Sequence, residues 1–194
     1  MNKKASFVTL IPMKWQILDT GFASAQKNMA LDYELLRGLS STQQPILHLY
    51  EWDEDAATYG HFLDPYNFLN KDGVEKHNLQ LARRPTGGGV VFHMTDFAYS
   101  ILVPASHPGY TVNTLENYGF IHRIITKVVQ RFLASKNSPE LLPEEPQNVD
   151  DHSCHFCMAR PTKYDVMWEG RKVGGGAQRR TRHGYLHQGT ISIA

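Results

Sequence analysis

The sequence predicts an α+β fold in one domain, a mixed β-sheet flanked by helices. Three observations point there. Strand-like and helix-like segments mix without a regular strand–helix–strand alternation. Two glycine triplets stand beside predicted strands. At 194 residues of ordinary globular composition, the chain is long enough for a single real core.

The start, "MNKKASFVTLIPMKWQIL", carries lysines before apolar residues, but Pro12 and Lys14 interrupt it, so it reads as a leading strand and not a signal peptide. "QKNMALDYELLRG" (26–38) places Leu31 and Leu35 at i, i+4, adds Leu36, and stops at Gly38, which predicts a helix. "ILHLYEW" (46–52) is a buried strand by length and β-formers. "GGVVFH" (88–93) and "FAYSILVP" (97–104) are strands, the second stopped by Pro104. The segment 114–135 is the strongest helix, with Leu115, Tyr118, Ile121, Ile125, Val128, Val129 and Phe132 as its apolar stripe. "SPELLPEEPQ" (138–147) reads as an exposed loop. "YDVMW" (164–168), the turn "EGR" and "KVGGGAQRR" read as a hairpin, and "YLHQGTISI" (185–193) closes the sheet.

Composition narrows the function. A net charge of +1 gives no nucleic-acid or membrane footprint, so a positive site must be local. No apolar run reaches membrane-spanning length. Two cysteines among ten histidines suit a reducing compartment, the cytoplasm, and not a disulfide scaffold.

"RRPTGGGVVFH" (83–93) carries the first chemical signal. It is not a Walker loop, since neither Lys-Ser/Thr nor a strong helix comes after the glycines. It is not a dinucleotide fingerprint, since the glycines lead into a strand-like segment. The remaining reading is a glycine-lined strand that a ligand can approach closely, with Arg83 and Arg84 able to hold phosphate or carboxylate. The competing readings are a plain turn and a solvated arginine pair. "EGRKVGGGAQRR" (169–180) repeats the combination of base and glycines, and the two runs together read as two walls of one pocket. Lys172 at the entrance of the second could polarise a carbonyl or phosphoryl oxygen, worth about 3–4 kcal/mol in a transition state; otherwise it is an exposed hairpin lysine.

These two runs, with "TDFAYS" (95–100), "LHQGT" (186–190) and "NMALDYELL" (28–36), resemble the lipoate–protein ligase A and octanoyltransferase family, whose catalytic fold is shared with biotin protein ligase. The resemblance runs in order from about residue 15 to 193 and identifies the chain as one catalytic domain over 1–194. It implies amide formation between a lipoyl or octanoyl carboxyl group and one lysine of a lipoyl carrier domain, as in a 2-oxoacid dehydrogenase E2 or the glycine cleavage H protein. It places Arg83, Arg84, Thr86, Gly87, Gly88, Gly89 and His93 on the acyl or acyl-adenylate pocket. Lys172 falls at the reacting carbonyl, and Gly174, Gly175, Gly176 and Ala177 form the opposing wall.

Two reactions divide the family. A ligase activates lipoate with ATP and Mg²⁺ through an acyl-adenylate. A transferase takes octanoate from acyl carrier protein through a cysteine thioester and needs neither. "CMARPTKYD" (157–165) has the spacing of the transferase motif Cys-Phe-x-x-Pro-Ser-x-Tyr-Glu, which makes Cys157 the candidate nucleophile. Gly89 and the closing "HQGT" resemble the ligases and put the ligase reading ahead. A third class stays open, a member that only binds the acyl group or carrier, although an intact Lys172 and both glycine runs argue against it. Cys154-x-x-Cys157 with His152 and His155 could bind zinc if His183 and His187 completed the set, but no resident metal is expected. Two departures stand out. Gly176 replaces the family's usual serine. The chain also ends right after the "HQGTISIA" strand, where family members continue, which implies a shortened chain or an accessory domain supplied by another protein.

Overall fold

The computed structural model describes residues 14–133, 137–145 and 158–192. β1 (Gln16–Ala23) leads into α1 (Ala25–Arg37), followed by β2 (Ile46–Trp52) and β3 (Ala56–Tyr59). A 3₁₀ turn (Pro65–Asn67), the short α2 (Lys71–Lys76) and β4 (Gln80–Arg83) come next, then β5 (Val90–His93) and β6 (Asp96–Pro104). The long α3 (Thr114–Leu133) precedes β7 (Glu140–Leu141), β8 (Val166–Trp168), β9 (Arg171–Thr181) and β10 (Gly184–Ser192). Seven strands form one sheet in the order β1-β2-β6-β10-β9-β8-β7, and β4-β3-β5 form a second. β1 runs parallel to β2 and β3 parallel to β4, while the other pairs are antiparallel. This is the mixed-sheet α+β architecture expected from the sequence.

β6 shows why the large sheet sits where it does. Its side chains alternate between faces, and both faces are covered, so it reads as an almost unbroken apolar run. Tyr99, Ile101 and Val103 pack with Ile121, Ile125 and Val129 of α3. Ala98 packs with Ala25 and Met29 of α1, and with Ala56 and Ala82 of the small sheet. Leu102 joins Leu36, Leu39 and Leu186. The α1 face also holds a buried polar chain. Asp32 accepts from Ser100 Oγ and from Gln188 Nε2 and bonds His48 Nδ1 at 2.8 Å; Thr86 Oγ1 donates to Gln188 at 2.7 Å. Such a network is stable only because each member is satisfied, and it fixes Gln188 of β10 against the loop before β5.

α1 begins at Ser24, whose side chain accepts from Lys27 N, and ends where the Gly38 N–H bonds Glu34 O. Gly38 has φ −79, so its glycine is not required by the backbone. The expected stripe of α3 is rotated. Leu115, Val128 and Phe132 are exposed, while Asn117, Gly119 and His122 are buried with Ile121, Ile125 and Val129. The polar members of the buried face have partners that periodicity cannot show: Asn117 bonds Thr111 N and O, and His122 bonds Tyr164 O. Part of the expected loop at 138–147 is strand, since β7 pairs with β8. The leading strand starts only at Gln16, and the residues before Lys14 lie outside the described set.

Candidate active site

A narrow cleft lies between the large sheet, α1 and the small sheet. Its floor is Gly175, Gly176 and Ala177 of β9 with Gln188, Gly189 and Thr190 of β10. Met29, Tyr50, Trp52, Thr58, Val91 and His93 wall it, and Lys172 and Met158 border it. The lining is mostly apolar, with polar groups confined to a few points.

Lys172 is the principal charge. It is not an exposed hairpin lysine: its side chain is 6% exposed, and Nζ stands 2.7 Å from Asp165 Oδ2 while also donating to Arg160 O. Asp165 is fully buried and accepts further bonds from Thr162 N and Oγ1 and from Tyr118 Oη. The sequence reading did not single out Asp165, although its place at the end of the run that begins at Cys157, directly after Tyr164, could have marked it.

Arg84 faces the same cleft with a different task. Its buried guanidinium donates to Thr58 O and Oγ1, Gly87 O and Gly89 O, so it braces the glycine loop. The chain of donors continues. Thr58 Oγ1, holding an arginine N–H, donates to His93 Nε2 at 2.8 Å, which leaves His93 Nδ1–H to donate to Asp96 at 2.7 Å. Both ring nitrogens of His93 are thus engaged. The ring contributes a flat wall, stacked on Trp52 at 4.3 Å.

The first glycine run sits elsewhere. Arg83 is exposed, donates to His61 O and Leu63 O, and lies over the Tyr59 ring. Thr86 is buried behind the cleft on Gln188. Gly87 and Gly88 border a separate surface groove with Phe62 and Leu63. Gly88 has φ +96, so backbone conformation, and not close approach of an acyl tail, demands glycine there. The loop packs over Gly60, a residue the motif reading passed over. A Cβ on Gly60 would overlap Gly88 O, and the loop is tied down by Gly60 N to Gly89 O and His61 N to Thr86 O.

The second run is split by the strand's two faces. Gly174 packs against Val166 and Ile125 outside the cleft. Gly175 leaves room for the Lys172 stem, since a Cβ would come within 2.5 Å of Lys172 Cε. At Gly176 a Cβ would stand 2.5 Å from His187 Nε2 and 2.8 Å from Gln188 O, so the serine usual in the family has no room beside this histidine. His187 belongs to a buried group behind the wall, with Tyr118 and His122 at ring distances of 5.4 and 5.2 Å. Among the described residues it shares no partner with His183, which bonds Ser41 and Arg182. Cys154, Cys157, His152 and His155 lie outside the described residues. Among the described residues no cluster of three metal-ligating side chains occurs.

Burial pushes His122 down to about 4, and burial together with His122 pushes His187 well below the ordinary histidine range. Both are neutral in the fold and regain about 6.5 on unfolding. Between pH 6.5 and about 4 the unfolded chain therefore binds more protons, and stability falls as pH falls. His122 alone contributes roughly 3 kcal/mol across this window. Thermal midpoints recorded at descending pH should drop through it, and His122→Gln should flatten the slope; equal slopes for the two proteins would contradict the assignment.

The site of this α+β domain is a slender, mostly apolar cleft that ends on a buried lysine. The lipoyl protein ligase A/B catalytic domain profile matches residues 24–194, and the chain belongs to that family. Octanoyltransferase LipM of Bacillus subtilis is 32% identical over 181 residues, covering 92% of this chain and 65% of that protein. LipM of Staphylococcus aureus is 30% identical over 179 residues, covering 91% and 65%. The chain thus spans about two thirds of the length of these relatives. Among solved structures, lipoate-protein ligase A bound with ATP superposes with a TM-score of 0.70 at 20% identity, over 93% of this chain and 66% of that one. A structure from an archaeal lipoylation system, a bi-partite lipoate protein ligase and its E2 lipoyl domain from Thermoplasma acidophilum, gives 0.64 at 20%, over 93% and 62%. The structural likenesses establish the fold. Among the described residues no helix is long and apolar enough to cross a membrane.

Proposed function

We propose that this chain transfers an octanoyl group from acyl carrier protein to the lysine of a lipoyl carrier domain through a thioester on Cys157. The carrier domain would be that of a 2-oxoacid dehydrogenase E2 or a glycine cleavage H protein, in a reducing cytoplasm. The observation that carries the reading is the buried Lys172–Asp165 pair at the border of the apolar cleft. Asp165 is also the last residue of the transferase-like motif that begins at Cys157. Met158, the next residue after Cys157, lines the same cleft as Lys172, which supports a thiol acting there. The LipM relatives shift the balance of the sequence reading, which Gly89 and "HQGT" had tilted to the ligase, toward the transferase.

The chemistry runs in two displacements. The Cys157 thiolate attacks the thioester carbonyl of the donor, the C–S bond to the carrier breaks, and the carrier thiol leaves with a proton. The ε-amine of the acceptor lysine then attacks the Cys157 thioester, an amide forms, and the Cys157 thiol is released as the amine loses a proton. Lys172 serves both steps by holding positive charge beside the thiolate and beside the oxyanion. The alkyl tail of the octanoyl group lies along Met29, Tyr50 and the β9–β10 floor.

The ligase stays as a second reading because Gly89 and the Gly-Thr ending favour it; it requires ATP and Mg²⁺ with lipoate or octanoate. Incubating the protein with an apo lipoyl domain and octanoyl-acyl carrier protein, without nucleotide, should add one octanoyl group to the domain by mass. Modification only with free acid, ATP and Mg²⁺ would establish the ligase instead. No modification by either route, with octanoate still bound, would establish the binding member.

A further inference from the structure

Helix α3 grips the corner that carries Asp165. Tyr164 is held at φ +69, a left-handed conformation that an aromatic residue keeps only where its surroundings over-determine it. Three residues of α3 do so. His122 Nδ1–H donates to Tyr164 O at 2.7 Å. Gly119 leaves the Tyr164 ring room against the helix, where a Cβ would stand 3.2 Å from Cδ2. Tyr118 Oη donates to Asp165 Oδ1 at 2.7 Å and accepts from Gly176 N at 3.0 Å. Gly176 O is also within reach of the hydroxyl at 3.1 Å, but the shorter bond to a charged acceptor takes the proton. One phenol therefore touches both the carboxylate that holds Lys172 and the glycine wall of the cleft.

We infer that Tyr118 is a positioning residue for the acyl-transfer site: through Asp165 it sets the direction of the Lys172 ammonium, and through Gly176 N–H it sets the wall against which the acyl group lies. The inference about rate rests on the proposed transferase reading. The inference about Lys172 does not. Asp165 Oδ2 faces Lys172 and Thr162, and Oδ1 faces Tyr118. Without the hydroxyl, Oδ1 loses its tie to α3 while Oδ2 stays on Lys172 and Thr162, so the carboxylate is held from one side and its tilt, with the ammonium, is less fixed. None of this was visible in the sequence, where Tyr118 counted as one member of an apolar stripe.

Tyr118→Phe in the full chain keeps the ring against His122, 4.1 Å away by centroids, and removes only the hydroxyl. Two readouts are taken. Octanoyl transfer should lose roughly ten-fold in kcat, with KM for the octanoyl donor changed by less than about two-fold. Separately, an amine-acylating reagent followed by peptide mass spectrometry should label Lys172 several-fold faster than in wild type, normalised to exposed Lys71. Asp165→Asn should change Lys172 labelling in the same direction. Unchanged kcat with unchanged labelling overturns the inference. So does a fall in activity that only tracks the loss of folded protein. If the wild type transfers no octanoyl group, the proposed function fails, and the labelling comparison alone decides the role of Tyr118.

Discussion

Lys172→Ala is expected to lower kcat/KM for carrier octanoylation by at least two orders of magnitude, the scale on which enzymes suffer when a donor to the developing oxyanion is removed. The structure adds a cost that a hairpin lysine would not carry. The side chain is buried on Asp165, and deleting one partner of a buried pair typically costs about 3–5 kcal/mol because the remaining charge is stranded. Asp165 retains Tyr118 Oη, Thr162 N and Thr162 Oγ1, which holds the loss to the lower end of that range. A typical domain's stability of about 5–15 kcal/mol survives such a loss. The variant should therefore remain folded at 25 °C with a lowered thermal midpoint, and its activity per folded molecule should still fall at least a hundred-fold. Near-normal turnover would remove Lys172 from the mechanism.

Cys157→Ser is the second large effect. A hydroxyl is a far weaker nucleophile than a thiolate at neutral pH, so octanoyl transfer from the carrier should fall below detection. The acyl-enzyme adduct should vanish with it, while octanoate binding in the cleft stays within a few-fold. A ligase would behave in the opposite way. Its adenylate route needs only that the carboxylate reach the α-phosphate, so Cys157→Ser would retain most ATP-dependent lipoate transfer. Full carrier-dependent turnover by the serine variant would rule out the thioester.

The elements that could be read from the sequence are those whose local pattern and tertiary role agree. "FAYSILVP" is buried on both faces, "ILHLYEW" is buried on one face and half-buried on the other, and both are rich in β-formers, so their apolar runs match β6 and β2. β3 and β4 are four residues each, too short for any periodicity to register, and were not anticipated. α3 was anticipated as a helix but with its stripe rotated, because its site-facing residues are polar and are satisfied by the 164–165 corner. The cleft was legible in the same uneven way. Lys172, Gly175, Gly176, Ala177, Arg84 and His93 border it. Gly87 and Gly88 do not: Gly88 serves a left-handed turn, and a Cβ at Gly87 would meet open space, while the close pass of this loop demands glycine at Gly60. Trp52, Thr58 and Gln188 reach the cleft from separate strands, and only the assembled topology brings them there. Gly176 and His187 explain each other across adjacent strands, a relation that spacing along one chain does not reveal.

The central claim is that an octanoyl group rests on this protein as a thioester before it reaches the carrier lysine. Intact-protein mass spectrometry after brief exposure to octanoyl-acyl carrier protein, with neither nucleotide nor acceptor domain present, tests it most directly. The account predicts a mass increase of one octanoyl group, mapped to the peptide containing Cys157, lost on treatment with hydroxylamine and discharged by adding apo lipoyl domain. An unmodified protein under these conditions, alongside lipoyl-domain modification that requires ATP, would contradict it.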